Sequence, residues 1–141
     1  EDLAMFLGEY RTVERYLDEM RDPGTHVVLA EEDGTLLGYS LLVLGKGIDE
    51  RPLPHPKRPA FLSQLYCAPG ATGRGIGAAL IERAIREARD WRADALQLSV
   101  FSENFGAQRF YARYGLKKVA DIFFWVGNHR DDEYLYELRL G

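Results

Sequence analysis

A glycine-rich turn between an apolar segment and a helical one limits the folds open to this chain. Gly73, Gly75 and Gly77 alternate with Arg74 and Ile76 directly before a segment with helical periodicity. Glycine lets a backbone approach an anion closely, and the first N–H groups of a helix have no carbonyl partners within that helix. The turn is therefore a predicted phosphate-binding site made of backbone groups.

Two other phosphate-binding motifs fit this turn poorly. A P-loop needs Gly-Lys-Ser/Thr after the turn, and no such tripeptide follows Gly77. A dinucleotide fingerprint could use Gly73, Gly75 and Ala78 as its three small residues, but it needs an acidic residue about 20 positions later. The strand predicted over 95–101 contains no acidic residue. A purely geometric role for the glycines remains the alternative.

Apolar periodicity predicts an α/β (α+β) fold with a mixed, mostly antiparallel central sheet and helices on both faces. Helices are expected within 2–21, over 75–90 and over 102–114, and strands over 26–30, 36–44, 60–67, 95–101, 116–126 and 133–140. Glu32-Asp33-Gly34 predicts a hairpin turn, and 127–132 is assigned to a second turn. The unit 60–101 should form a parallel strand pair through a right-handed helical crossover.

Bulk properties narrow the function classes. The 141 residues suit one domain, 1–141, and carry a net charge of −4, which weighs against nucleic acid and for a cationic substrate. No apolar run is long enough to span a membrane, and we expect no signal peptide at the start of the chain. The single cysteine, Cys67, permits no internal disulfide and fits a cytoplasmic location. We predict neither a membrane partner nor a metal cofactor.

A second pattern places a proton donor on a short helix. Tyr111 follows Asn104 by seven residues, two helical turns, so that both lie on one helix face. The alternative for Tyr111 is a core aromatic, because it continues an apolar stripe with Ala107, Phe110 and Tyr114. The alternative for Asn104 is a helix N-cap.

Together these segments resemble the GNAT superfamily of N-acetyltransferases. Leu65-Tyr66-Cys67-Ala68-Pro69, followed by Thr72 to Gly77, resembles its acetyl-coenzyme A signature. Asn104 to Leu116 resembles its second motif, and the two motifs stand in the family's order and spacing. A narrower similarity, carried by the early helices and by Val126-Gly127 with Asp131-Asp132, is to a bacterial branch that includes polyamine acetyltransferases.

The resemblance implies the acyl-CoA N-acyltransferase fold, with a sheet splayed near 65–70. It implies direct transfer of an acetyl group from acetyl-CoA to a primary amine, a small cationic molecule, in a ternary complex. Tyr111 would be the catalytic residue that protonates the departing thiolate. The implied cofactor-binding residues are Leu65, Tyr66, Cys67, Thr72, Gly73, Arg74, Gly75, Ile76, Gly77, Ala78, Asn104 and Tyr111.

Three departures from the family pattern affect these expectations. Thr72 stands where the family favours arginine or glutamine, which predicts weaker phosphate binding. Ser63 stands where many members carry a glutamate base, so that a bound water is expected to take the amine proton. The chain begins at Glu1 in the helical region, so the first strand of the fold is expected to be absent from it.

The sequence also leaves open further candidate site residues and two alternative functions. Cys67 and His55 are weaker candidates for a nucleophile and a base, while Asp49 and Glu50 could attract an amine cation. The first functional alternative is a protein N-terminal or lysine acetyltransferase, which needs an open peptide groove. The second is a non-catalytic acyl-CoA-binding regulatory domain. A homodimer is a further partner that the sequence leaves open.

Overall fold

The computed structural model describes residues 24–47, 54–71, 73 and 75–141. The helices predicted within 2–21 lie outside the described residues. The elements are β1 (Thr25–Glu32), β2 (Thr35–Leu44), β3 (Pro59–Cys67), a 3₁₀ turn (Pro69–Ala71), α1 (Ile76–Asp90), β4 (Ala95–Phe101), α2 (Phe105–Ala112), β5 (Lys117–Val126) and β6 (His129–Arg139).

The strands form a six-stranded sheet in the order β1-β2-β3-β4-β6-β5, which confirms the predicted fold class. The pairs β1–β2, β4–β6 and β5–β6 are antiparallel, and β3–β4 is parallel as the crossover predicted. The β3–β4 ladder contains three residue pairs, from Pro59–Ala95 to Phe61–Gln97. It therefore ends before 65–70, the region in which the strands are expected to diverge.

The chain divides into two compact units. The first contains the described residues up to Leu44 together with Leu62–Glu87. The second contains the described residues of Gly45–Phe61 together with Ala88–Gly141.

In the first unit, the β1–β2 hairpin turns at Asp33-Gly34, as the Asp-Gly pair predicted. Both residues have positive φ, 51° and 79°, which is typical of a two-residue type I′ turn. The buried face of α1 includes Leu80, Ile81 and Ala84, in keeping with the helical apolar period.

A glycine in β2 controls how closely the elements of this unit pack. A Cβ atom at Gly38 would lie 2.5 Å from the carbonyl oxygen of Tyr66 and 3.0 Å from Cγ2 of Ile76. The Ala68 N–H donates to the carbonyl of Leu37 at 2.8 Å, which ties the chain just after β3 to β2. Gly38 thus allows β2 to approach both the end of β3 and the beginning of α1.

The second unit contains a buried polar pair and an anchored loop. The Gln97 amide donates to the Glu137 carboxylate at 2.9 Å, and both side chains are buried between β4 and β6. The Asp94 carboxylate accepts from the backbone N–H groups of Lys57 and Arg58 at 2.6 and 3.0 Å. Partial burial alone would raise the pKa of Asp94, but these backbone hydrogen bonds outweigh it and lower the pKa.

Two predicted boundaries in this unit are wrong. The helix predicted over 102–114 is shorter, because Asn104 caps α2 and the helix ends at Ala112 before Gly115, whose φ is +90°. The turn predicted over 127–132 is only Gly127-Asn128, with Gly127 at φ +62°. Residues 129–132, whose polar character predicted a longer turn, instead pair with β5. Their ladder begins at the pair Val126–His129 and continues to Phe123–Asp132.

Among the described residues, no helix has the length and apolar character that a membrane span requires.

Candidate functional site

The last residues of β3 carry the predicted pantetheine-binding groups in the first unit. Leu65, Tyr66 and Cys67 are all half-buried. The Tyr66 ring stacks at a tilt on Tyr39, with ring centroids 5.3 Å apart, while the Tyr66 carbonyl faces Gly38. Packing on β2 therefore holds this backbone in place, as a site made of peptide groups requires.

The glycine turn needs glycine for its backbone conformation. Gly73 and Gly75 have φ values of +82° and +79°, in the left-handed region that other residues rarely adopt. Apart from its chain neighbours, a Cβ atom on either glycine would meet nothing within 4 Å among the described residues. No more distant described residue therefore blocks the approach of a phosphate to this backbone. Thr72 and Arg74 lie outside the described residues.

The beginning of α1 presents backbone donors next to this turn. The Ala79 N–H donates to the Gly75 carbonyl at 3.0 Å, a hydrogen bond of the helical pattern at the beginning of α1. The N–H groups of Ile76, Gly77 and Ala78 precede it and have no carbonyl partner within the helix. No acidic side chain occupies the first turn of this 15-residue helix. Its positive dipole end therefore suits a pyrophosphate.

In the second unit, Asn104 acts as the N-cap of α2. Its side-chain Oδ1 accepts a hydrogen bond from the Ala107 N–H at 3.1 Å. The alternative reading of Asn104 as a cap is thus confirmed. The cap uses the oxygen, so the exposed Nδ2 group is the part of the side chain that could contact a cofactor. That contact remains a prediction.

Tyr111 lies on α2 in a half-buried position, and no residue of that helix is fully buried. Its ring meets Phe110 edge-on with centroids 5.3 Å apart. The backbone carbonyl of Tyr111 accepts hydrogen bonds from the N–H groups of Tyr114 and Leu116 at 3.0 and 3.3 Å. Tyr111 is thus partly exposed and packed on Phe110, and its role as proton donor stays a prediction.

The candidate nucleophile and bases differ in their surroundings. Burial raises the pKa of the Cys67 thiol, which keeps it protonated and argues against a covalent acyl-cysteine route. Ser63 is exposed, and a hydroxyl there is a weak base. His55 lines a recess of about 480 Å³ together with Gly45, Lys46, Gly47, Pro56, Pro59 and Gln97. Asp49 and Glu50 lie outside the described residues.

Sequence reasoning missed a pair of carboxyl groups on β6. Glu133 is hydrogen-bonded to Asp131 and to the hydroxyl of Ser99 on β4. Partial burial raises the pKa of Glu133, the Asp131 carboxyl raises it further, and the Ser99 hydrogen bond offsets part of this rise. The spacing of 131 and 133 puts both residues on one face of a strand. This signal was hidden because 127–132 was assigned to a turn.

Among residues 24–47, 54–71, 73 and 75–141, no three histidine, cysteine, aspartate or glutamate side chains are grouped so that they could hold a metal ion.

Comparisons with known proteins agree on one family. The sequence profile described as acetyltransferase (GNAT) family matches residues 3–116. An uncharacterized N-acetyltransferase of Mycobacterium tuberculosis is 33% identical over 135 residues, which cover 96% of this chain and 80% of the relative. Another, from Lactobacillus delbrueckii subsp. lactis, is 28% identical over 140 residues, 99% of this chain and 79% of the relative.

Solved structures share the fold at low sequence identity. A ribosomal-protein-alanine N-acetyltransferase from Brucella melitensis superposes with a TM-score of 0.73 at 20% identity, covering 92% of this chain and 78% of that one. A Salmonella typhimurium putative acetyltransferase, solved with its cofactor acetyl-CoA, gives a TM-score of 0.71 at 20% identity, covering 93% and 73%. With the profile match over most of its length, the chain belongs to the acetyltransferase (GNAT) family and is an N-acetyltransferase.

Proposed function

We propose that this N-acetyltransferase transfers the acetyl group of acetyl-CoA to a primary amine of a small cationic molecule, by direct attack in a ternary complex. The observation that carries the cofactor assignment is the open, left-handed glycine turn beside the N-terminus of α1. Backbone N–H groups there suit a pyrophosphate, and, apart from the chain neighbours of each glycine, no atom lies within 4 Å of a Cβ position at Gly73 or Gly75.

We assign both units to one catalytic domain, because the family profile covers segments of each. The proposed pyrophosphate donors are the N–H groups of residues 73–78. The backbone at Leu65, Tyr66 and Cys67 is proposed to hold the pantetheine arm and to donate hydrogen bonds to the acetyl oxygen. The lone cysteine supports a cytoplasmic location.

Acetyl-CoA supplies an activated thioester, and the chain supplies hydrogen-bond donors and proton transfer. Backbone N–H groups that stabilise the oxyanion of the tetrahedral intermediate typically contribute on the order of 10²–10³ in rate. The Tyr111 hydroxyl is proposed to give its proton to the departing thiolate sulfur. The nitrogen of the tetrahedral intermediate releases its second proton to water as the amide forms, Tyr111 regains a proton from water, and the proton taken from the ammonium group leaves to solvent.

The proton of the incoming ammonium group needs an acceptor, and we assign this role to Glu133 acting through a bound water. The assignment rests on the contact of Glu133 with Ser99 and Asp131 and on a pKa that burial and Asp131 raise. A carboxylate with a raised pKa is a stronger base than an ordinary glutamate. Ser63 stands where the family resemblance implies a glutamate base. Its hydroxyl is too weak a base to accept the ammonium proton.

The negative net charge of the chain supports a cationic amine as the acetyl acceptor. The net charge of the chain is −4, and β6 carries Asp131, Asp132 and Glu133 in succession. Asp131 and Glu133 are half-buried, and Asp132 is exposed and ion-paired with Arg130 at 2.8 Å. A surface carboxylate attracts a cation by about 1 kcal/mol or less. Asp49 and Glu50 of the loop before β3 are proposed to add to this attraction.

The first prediction concerns cofactor binding and has a matched control. We expect Gly75→Val to abolish coenzyme A binding, because a side chain would occupy the space that the phosphate needs. Gly34→Val imposes the same backbone cost, about 1–2 kcal/mol, because Gly34 also has φ +79° and open space around it. Calorimetric titration with coenzyme A should show binding to the Gly34 variant alone, while both variants lose similar thermal stability. Equal affinity of the two folded variants would contradict the proposed pyrophosphate site.

The second prediction concerns the general acid. Tyr111→Phe keeps the ring and its edge contact with Phe110 but removes the proton donor. We expect kcat to fall by about 10²–10⁴, with the coenzyme A affinity and the melting temperature nearly unchanged. Steady-state kinetics and thermal melts measure both effects. A sharp loss of stability with unchanged activity per folded molecule would show that Tyr111 is only a packing residue.

The third prediction uses pH to test Glu133. If Glu133 must be ionised, kcat/KM rises with pH through its raised pKa. Asp131→Asn removes a group that raises this pKa, so the rise of kcat/KM with pH should move to lower pH. Glu133→Gln should abolish this rise and lower kcat.

Stability separates this role from a structural one. A folded-state pKa above the unfolded value means that stability present at low pH is lost as pH rises through the folded pKa. Glu133→Gln should therefore be at least as stable as the wild type at neutral pH, although it is less active. An unchanged pH profile in both variants would eliminate Glu133 as the proton acceptor.

The fourth prediction concerns the acceptor. Spermidine should be acetylated with a higher kcat/KM than peptides with free N-termini, in coupled assays that follow coenzyme A release. High salt should raise the KM for spermidine and leave that for acetyl-CoA nearly unchanged, because exposed charges are screened over roughly 8–10 Å. Asp49→Asn with Glu50→Gln should have a similar effect at low salt. Preferred acetylation of peptides would support the protein acetyltransferase alternative, and no turnover with any amine would support the regulatory one.

A further inference from the structure

Four consecutive apolar side chains at the end of β5 are exposed. Phe123, Phe124, Trp125 and Val126 retain 50%, 43%, 65% and 66% of their surface accessible, whereas Ile122 before them is buried. Single exposed apolar residues are normal on protein surfaces, but a contiguous run marks an interaction site.

This run lies on an edge strand of the described sheet. β5 ends the strand order and pairs on one side with β6. In a two-residue hairpin the residues flanking the turn, here Val126 and His129, form a hydrogen-bonded pair. The N–H and C=O groups of Phe123 and Trp125 therefore point away from β6, toward the outer edge.

The usual protections of an edge strand do not cover this segment. Proteins protect edges with proline, with charged side chains or with bulges. The charges of β5, on Lys117, Lys118 and Asp121, and its register shift between Lys118 and Ala120 all precede the apolar run. The last five residues of β5 thus form a regular, uncharged template for another strand.

We propose that the partner of this edge is a second copy of the same chain, with the two β5 strands antiparallel about a two-fold axis at Phe124. This inference is independent of the acetyl-transfer proposal. The contact is isologous, so that each copy supplies the same surface and the assembly closes as a dimer.

The register about Phe124 matches apolar residues to apolar residues. Phe123 faces Trp125 of the second copy, Ile122 faces Val126, and Phe124 faces its own equivalent. The outward peptide groups of Phe123 and Trp125 come into register and can exchange hydrogen bonds. Lys117 and Lys118 fall outside the paired segment, so no like charges oppose each other across the edge.

The side chains beside the run are compatible with burial. Arg130 lies over the Phe123 ring at 4.3 Å from its centroid and forms an ion pair with Asp132 at 2.8 Å. The rim next to the aromatic residues is therefore internally neutralised. Phe123 and Trp125 already meet edge-on at 6.3 Å, an arrangement that a facing aromatic pair can extend.

The exposed area is large enough to form the centre of a dimer interface. An aromatic side chain has a surface of about 150–250 Å², so the exposed fractions of the three aromatic residues leave roughly 240–400 Å². A stable interface buries about 800 Å² per partner. The run supplies about a third to a half of that share, and Val126 and the outward backbone of β5 add to it.

The test places opposite charges on the two-fold axis. The wild-type chain should be a dimer by analytical ultracentrifugation, and Phe124→Glu and Phe124→Lys should each be monomeric because like charges meet on the axis. An equimolar mixture of the two variants should dimerise again, since Glu then faces Lys. Phe105→Glu is the control, because Phe105 on α2 is 61% exposed but lies away from β5 in sequence and should leave the dimer intact.

Circular dichroism establishes that each variant is folded. A monomeric wild type at micromolar concentration would overturn the proposal, even if the edge binds unrelated strand peptides. A Phe124→Glu variant that remains dimeric would show that the interface lies elsewhere. Folded Glu and Lys variants that stay monomeric when mixed would exclude a two-fold axis at Phe124.

Discussion

The proposed cofactor site depends on the close approach of Tyr66 and Ile76 to Gly38. A Cβ atom at this position would lie 2.5 Å from the Tyr66 carbonyl oxygen, a distance at which the strands would have to separate. The same missing side chain lets Ile76, the first residue of α1, lie against β2. The absence of one methyl group thus sets the position of both the strand end and the helix N-terminus at which we propose that coenzyme A binds.

Backbone groups and side chains divide the proposed chemistry between them. In the proposed site, the glycine turn and the beginning of α1 would recognise charge through backbone N–H groups, which do not depend on the type of side chain. Proton transfer, by contrast, depends on side chains whose ionisation the surroundings must adjust. Burial and a neighbouring carboxyl raise the pKa of Glu133 in this way, at a cost to the stability of the ionised form.

The β5–β6 hairpin shows how one wrong turn boundary obscures features on which the proposals rest. Asp131 and Asp132 have the composition of a turn, yet they pair with β5 because Gly127-Asn128 already completes the reversal. Extending the strand to His129 places the carboxyl groups of Asp131 and Glu133 on one face. It also lengthens the ladder that supports the exposed apolar end of β5.

The sequence by itself determined the features that depend on neighbours within a few residues. Local backbone preferences account for the Asp33-Gly34 turn, the glycine turn before α1 and the cap at Asn104. The apolar period accounts for the succession of strands along the chain. Only the tertiary structure decided which strand forms the edge, which residue meets Ser99 and why position 38 must be glycine. These depend on the register between strands far apart in the chain, and residue types alone do not encode that register.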